Sequence, residues 1–118
     1  MLLLISYNMR GLGGAPKVAA LSRILDLRKP KVLALQETMM EGGRAIDTLK
    51  THLRDWEMET LDAEGHSGGL VIAWNPLIVC HNRKKFKDAI GTELEDLETG
   101  LIFYFLNLYA PFYDMKEL

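Results

Sequence analysis

Three apolar, strand-like runs in this 118-residue sequence end in polar side chains of matching kinds. "LLLISYN" ends in Asn8, "LALQET" ends in Gln36 and Glu37, and "FLNLYA" carries Asn107 and Tyr109. In an α/β sheet, functional groups collect just outside the carboxyl ends of the strands, where the loops converge around a crevice. Gathered there, a carboxylate with amides and a phenol around it would form a hard-oxygen site. One carboxylate, completed by water and a substrate phosphate, suits Mg2+, with Mn2+ as a second cation of the same preference. Asn8 would then serve best by hydrogen-bonding the carboxylate rather than by touching the metal.

Each of these residues also has an ordinary reading. A Glu at a strand end is commonly solvated or caps the next loop, and an Asn there is commonly a turn residue. Asn107 interrupts a very apolar strand, and a buried amide needs hydrogen-bond partners. A structural hydrogen bond across the sheet explains it about as well as a site does. Tyr109 can be packing with a wet hydroxyl. Spacing alone leaves these alternatives open.

The elements that would position these groups can be read from periodicity. Residues 2–8 form a buried strand, and "MRGLGGAPK" is a Gly/Pro-rich loop. "KVAALSRILDLRK" places Leu21, Ile24 and Leu25 at helical spacing, and Pro30 ends that helix. Residues 32–37 are the second strand. This β-loop-α-β order favours a parallel pair and an α/β fold. "GGRAIDTLKTHLRDW" predicts a second helix over residues 42–56, from Ile46, Leu49, Leu53 and Trp56. Beyond it lie five short strand-like runs, "WEMETLD", "GGLVIAWN", "LIVCHN", "AIGTELEDL" and "LIFYFLNLYA". "WNP" and "ETG" between them read as hairpin turns, so the second half is an antiparallel meander attached to the α/β start.

Composition narrows the class. A chain of 118 residues holds one small domain, and 48% hydrophobic with 25% charged residues is ordinary for a soluble globular protein. The net charge of −2 argues against a strongly basic nucleic-acid clamp. Basic residues nevertheless crowd the first 31 positions, six against the single acid Asp26, which would leave a positive patch on one face. The basic stretches "RKPK" (28–31) and "RKKFK" (83–87) are candidate phosphate contacts or solvated segments. "GLGG" lacks the Lys-Ser/Thr of a phosphate-binding loop. The single cysteine, Cys80, excludes an internal disulfide and a zinc site built on paired cysteines; an intracellular chain is expected, with the nucleus open. The opening "MLLLIS" is too short an apolar run for a signal peptide, and no run approaches a membrane span, so no membrane association is expected.

Four phrases in order, "ISYNMRGLGG", "LALQET", "SGGLVIAWN" and "LNLYAP", resemble the endonuclease/exonuclease/phosphatase superfamily. Within it the sequence is most similar to the endonuclease domain that opens LINE-type, reverse-transcriptase-associated retrotransposon proteins, particularly plant ones; Tyr7 stands where a tryptophan is common there. The resemblance implies that Glu37 binds the metal, with Asn8 beside it and near the phosphate. Gln36 is the amide partner preceding that Glu. Ser67, Gly68 and Gly69 lie at the cleft rim, and Asn107 and Tyr109 form an Asn-x-Tyr pattern whose Tyr hydroxyl approaches the scissile phosphate. The implied reaction is phosphodiester hydrolysis on nucleic acid, an in-line attack by water on a metal-polarised phosphate.

Two further motifs of that superfamily are absent from these 118 residues. No Asp begins an Asp-x-Asn, and none of His52, His66 and His81 follows an Asp. Residues 1–118 are therefore expected to be the N-terminal half of a DNase I-like four-layer α/β sandwich, one mixed sheet covered by two helices. The sheet's inner face is expected to be bare, open to self-association or to a missing C-terminal half. A fragment of a Mg2+-dependent phosphodiesterase, weakly active or inactive alone, is the functional expectation. The alternatives are a non-catalytic degenerate remnant or interaction module, and a phosphatase-type member acting on a non-nucleic phosphoester.

Overall fold

The computed structural model describes residues 2–64 and 67–109, with Ser67 described by its backbone only. Strand β1 (Leu4–Asn8), helix α1 (Ala15–Arg28) and strand β2 (Val32–Gln36) form the expected β-α-β unit. The two strands pair in parallel, from Leu4 opposite Val32 to Asn8 opposite Gln36. Pro16 sits in the first turn of α1, where its missing N–H costs no helical bond. Lys29 ends the helix in a left-handed conformation, its N–H bonding the Leu25 carbonyl at 2.9 Å, and Pro30 follows.

Helix α2 spans Gly42–Lys50, shorter than the predicted 42–56. The hydroxyls of Thr48 and Thr51 bond the carbonyls of Arg44 and Thr48, local bonds that compete with helix propagation. Tight turns then carry the chain on, with Leu53 still buried and Trp56 packed against the same core. The amide of Gly42 is capped by the Asp62 carboxylate at 2.6 Å. A side chain at Gly42 would collide with Thr60, so this residue must be glycine for α2 to approach the next strand.

Strands β3 (Glu57–Glu64) and β4 (Ser67–Trp74) complete a mixed sheet in the order β1-β2-β4-β3. Strands β5 (Ile78–Lys85), β6 (Ala89–Asp96) and β7 (Ile102–Leu108) form a separate antiparallel sheet in the order β5-β6-β7. The mixed sheet with two helices is as expected. Its inner face is not bare, however, because the second sheet covers it. "WNP" does not make a hairpin: the Asn75 side chain accepts the Leu77 N–H at 2.9 Å, and this turn passes the chain from one sheet to the other. "ETG" does make one, between β6 and β7, with Gly100 at φ 77°.

The cores follow from this layering. Leu33, Leu35, Val71 and Ala73 face the helices with Leu21, Ala45 and Leu49. Val32, Leu70, Ile72 and Trp74 meet Ile78, Ile90 and Leu94 of the second sheet. Strand β2 is thus buried on both faces, which is why it reads as a continuous apolar run. The bare apolar surface lies instead on the outer face of β7, where Ile102, Tyr104, Leu106 and Leu108 are 52–66% exposed. Alternation sends Phe103, Phe105 and Asn107 inward from the same strand.

Polar contacts join the sheets at their margins. Buried Lys31 pairs with Asp96 at 2.9 Å and with Glu98 at 2.7 Å, and Asp96 also accepts from the Thr99 hydroxyl. The bonds Lys31 donates to Glu98 and Asp96 raise its pKa, and the latter bond lowers that of Asp96. Arg83 reaches Glu59 at 3.3 Å and stacks over Trp74, and Lys85 reaches Glu59 at 3.3 Å. Both basic stretches therefore spend part of their charge on carboxylates of the fold itself.

Candidate functional site

The carboxyl ends of β1, β2 and β7 and the start of β4 all lie at one end of the two sheets, because β4 runs antiparallel to β2. Ser6, Asn8 and Gln36 share the inner face there. Ser6 and Asn8 are two residues apart on β1, and Asn8 is in register with Gln36.

One hydrogen-bonded chain organises this corner. The Gln36 amide donates to the Ser6 hydroxyl at 3.0 Å and to the Asn107 carbonyl oxygen at 2.8 Å. The Asn107 amide nitrogen donates to the main-chain carbonyls of Leu35 and Val71, each at 3.0 Å. Asn107 is 3% exposed, so its side chain leaves the second sheet and bonds the backbone of the first. Of the two readings the sequence left open, a hydrogen bond across the sheets describes what this side chain does. Asn8 is exposed and accepts the Arg10 N–H at 3.1 Å, shaping the loop after β1.

Glu37 is half-buried and left-handed, at φ 53°. Arg10 and Met39 are also left-handed non-glycine residues, and Gly11, Gly68 and Gly69 have positive φ. Such conformations are costly for residues with a Cβ, and they gather at functional sites. Main-chain bonds hold them. The carbonyls of Gln36, Glu37 and Thr38 accept the N–H groups of Met9, Gly11 and Leu12, and those of Gly69 and Gly68 accept Thr38 and Met39. The Glu37 turn is thus clamped between the loop after β1 and the start of β4.

Gly68 and Gly69 play separate parts. A Cβ at Gly69 would overlap the Thr38 hydroxyl, so this glycine admits the β2 turn. A Cβ at Gly68 would only touch the Tyr109 ring, at 3.9 Å, so what this position asks of glycine is its φ of 78°. Tyr109 is held by its N–H on the Asp88 carbonyl at 2.8 Å, and its ring borders a small pocket with Gly68, Gly69, Leu61 and Lys87. The Ser67 side chain and Ala110 and Pro111 of "LNLYAP" lie outside the described atoms.

The structure therefore brings Gln36 and Asn107 into contact, sets Asn8 beside Gln36, and has Gly68 and Tyr109 line one pocket. Sequence reasoning missed Ser6 and Thr38. Ser6 was available from two-residue alternation with Asn8, whereas Thr38, 1% exposed, carries no signal of the glycine it touches. Cys80 belongs elsewhere: burial pushes its thiol pKa up, as for a packing residue. For a cation, the fit rests on the donor set. Among the described residues no three His, Cys, Asp or Glu side chains cluster, so no ready-made cage of protein carboxylates surrounds a cation. Water and substrate oxygens would supply most of the shell, an arrangement Mg2+ accepts.

No family model matches the sequence, and no curated protein matches it. Solved structures do match. The AP endonuclease LMAP from Leishmania major superposes with a TM-score of 0.68 at 17% identity, over 92% of this chain and 40% of that one. The fold is DNase I-like. D. rerio TDP2 complexed with single-strand DNA product shares this DNase I-like fold, with a TM-score of 0.68 at 17% identity over 89% of this chain and 44% of that one. So does a Neisseria 3' phosphatase, NExo, bound to a product DNA hairpin, with a TM-score of 0.65 at 15% identity over 90% and 40%. The chain spans less than half the length of these DNase I-like neighbours.

Proposed function

We propose that this chain supplies the metal-holding half of a phosphodiesterase site acting on DNA, of LINE-type retrotransposon ancestry. The observation that carries the reading is the Gln36–Asn107 bond. It joins the residue before Glu37 to the residue two before Tyr109, so a carboxylate and a phenol are fixed at one end of the sheets. The fold shared with DNA-processing nucleases and a phosphatase supports a phosphoester as substrate.

In this reading Glu37 holds a divalent cation, Mg2+ or Mn2+, which would polarise the scissile phosphate. Asn8 shapes the neighbouring loop through Arg10, and Tyr109 offers its hydroxyl to a phosphate oxygen. Gly68, at φ 78°, lets the backbone turn beside the Tyr109 ring. Water activation and the second phosphate contact are assigned in the superfamily to Asp-x-Asn and Asp-His motifs, which these 118 residues do not contain. Loss of one such group costs about 10²–10⁴ in rate, so the chain alone is weakly active or inactive.

The test uses the 118-residue chain with supercoiled plasmid and a single-stranded oligonucleotide, in Mg2+ or Mn2+. Metal-dependent DNA retention that EDTA and Glu37→Ala both abolish is the expected result. Nicking above the Glu37→Ala background would reveal a working site in this half. Retention indifferent to both controls would overturn the assignment of Glu37.

A further inference from the structure

We propose that Asn107 is a positioning residue that never touches substrate, and that with Gln36 it forms a latch coupling the Glu37 turn to Tyr109 across the two sheets. The inference rests on the reading of Glu37 as the metal carboxylate, and it changes what the Asn-x-Tyr pattern does.

Satisfaction of the side chain argues for it first. Asn107 offers two donor hydrogens and one acceptor oxygen. The donors go to the carbonyls of Leu35 and Val71, and the oxygen takes the Gln36 amide. At 3% exposure the group has no free face for a phosphate. Geometry argues next. Leu35 and Val71 are partners in the β2–β4 ladder, so one amide from β7 grips both strands that carry the Glu37 turn and the Gly68–Gly69 rim. Chain connectivity completes the case. Glu37 follows Gln36 directly, and Tyr109 is two residues beyond Asn107, just past the end of β7 and lining one pocket with Gly68. Movement of one sheet over the other would separate the carboxylate from the phenol, and the latch opposes it. The second donor bond of Gln36, to Ser6, fixes the amide plane so that its remaining hydrogen points at Asn107.

The experiment compares wild type with Gln36→Leu, which removes the latch donor, and with Thr92→Val. Thr92 is fully buried where Gln36 is half-buried, and its hydroxyl bonds the Phe105 carbonyl within the second sheet rather than a described residue of the first. Three quantities are read on the full chain: the urea midpoint, Mn2+ affinity by loss of the free-ion EPR signal, and the 19F resonances of fluorotyrosine placed at position 109 or 104. Tyr104 lies within β7 with its side chain exposed, and so reports global loosening.

Gln36→Leu is expected to weaken Mn2+ binding by about 10–100-fold, as loss of groups that orient a ligand does. It should shift or broaden the signal at position 109 and leave that at position 104 in place. Thr92→Val should lower the midpoint without either effect. An unmoved position-109 signal in Gln36→Leu overturns the latch, as does an equal response in both variants. If wild type and Glu37→Gln bind Mn2+ alike, the metal reading fails, and the 19F comparison still decides the latch.

Discussion

Gly69→Ala is the sharpest perturbation of the site that the structure offers. Gly69 has φ 91°, and a Cβ there would overlap the Thr38 hydroxyl and lie 3.2 Å from the Met39 nitrogen and 3.4 Å from the Met40 carbonyl oxygen. Two costs follow. Holding an alanine in the left-handed region costs about 1–2 kcal/mol. Forcing an extra carbon into packed surroundings costs about 1–3 kcal/mol. The sum, about 2–5 kcal/mol, is a large share of the roughly 6–18 kcal/mol expected of a chain this long. Urea unfolding followed by tryptophan fluorescence measures it. Thr38→Ala removes the obstructing oxygen, so the double variant should recover the packing part and keep the conformational part. The two sites would then couple by about 1–3 kcal/mol. A Gly69→Ala loss below about 0.5 kcal/mol, or independent effects of the two changes, would refute the reasoning.

Three further outcomes are expected. The Lys31–Asp96 pair gives stability a window: Asp96, with its pKa lowered, contributes above about pH 4 and loses its contribution as pH falls further, while Lys31, with its pKa raised, contributes below about pH 10.4 and loses it above. Melting curves of wild type and Lys31→Met/Asp96→Leu should converge outside that window, and Asp96→Asn alone should melt earlier than either near neutrality. Asp62→Ala removes the carboxylate that caps Gly42 and should cost about 0.5–2 kcal/mol, with faster amide exchange at Gly42 as the local readout. Tyr104→Lys with Leu106→Lys should leave the unfolding free energy within about 0.5 kcal/mol per site and raise the solubility limit, since both side chains lie on the bare face of β7.

Local structure was legible in the sequence; partnership was not. The β1-α1-β2 unit and the approximate place of every strand follow from apolar periodicity and from Pro30. The division into two sheets does not follow, because a strand's alternation reports which face is buried and is silent about which strand lies alongside. The turn at Trp74–Pro76 shows the difference: a hairpin and a passage between sheets use the same Asn-Pro chemistry. Helix α2 was overextended because Leu53 and Trp56 keep helical spacing and stay packed after the helix has ended. At the site, residue types and order were enough to single out Gln36 and Asn107, whose side chains the structure joins. The left-handed backbone at Arg10, Glu37 and Met39 had no sequence mark, since none is glycine. Tertiary hydrogen bonds impose it.

Along β2 the sheet-to-sheet interface is apolar between two polar ties. Lys31 grips Asp96 just before β2 begins, and Gln36 grips Asn107 where β2 ends. At ~3.3 Å per residue these ties stand about 16 Å apart along the strand. Apolar surfaces slide and rotate over one another at little cost, but two fixed points define an alignment completely. Drift in sequence should therefore be unequal across this interface. The aliphatic and aromatic residues between the ties can be exchanged for others of similar volume, whereas each tie can change only as a pair, with both partners replaced together.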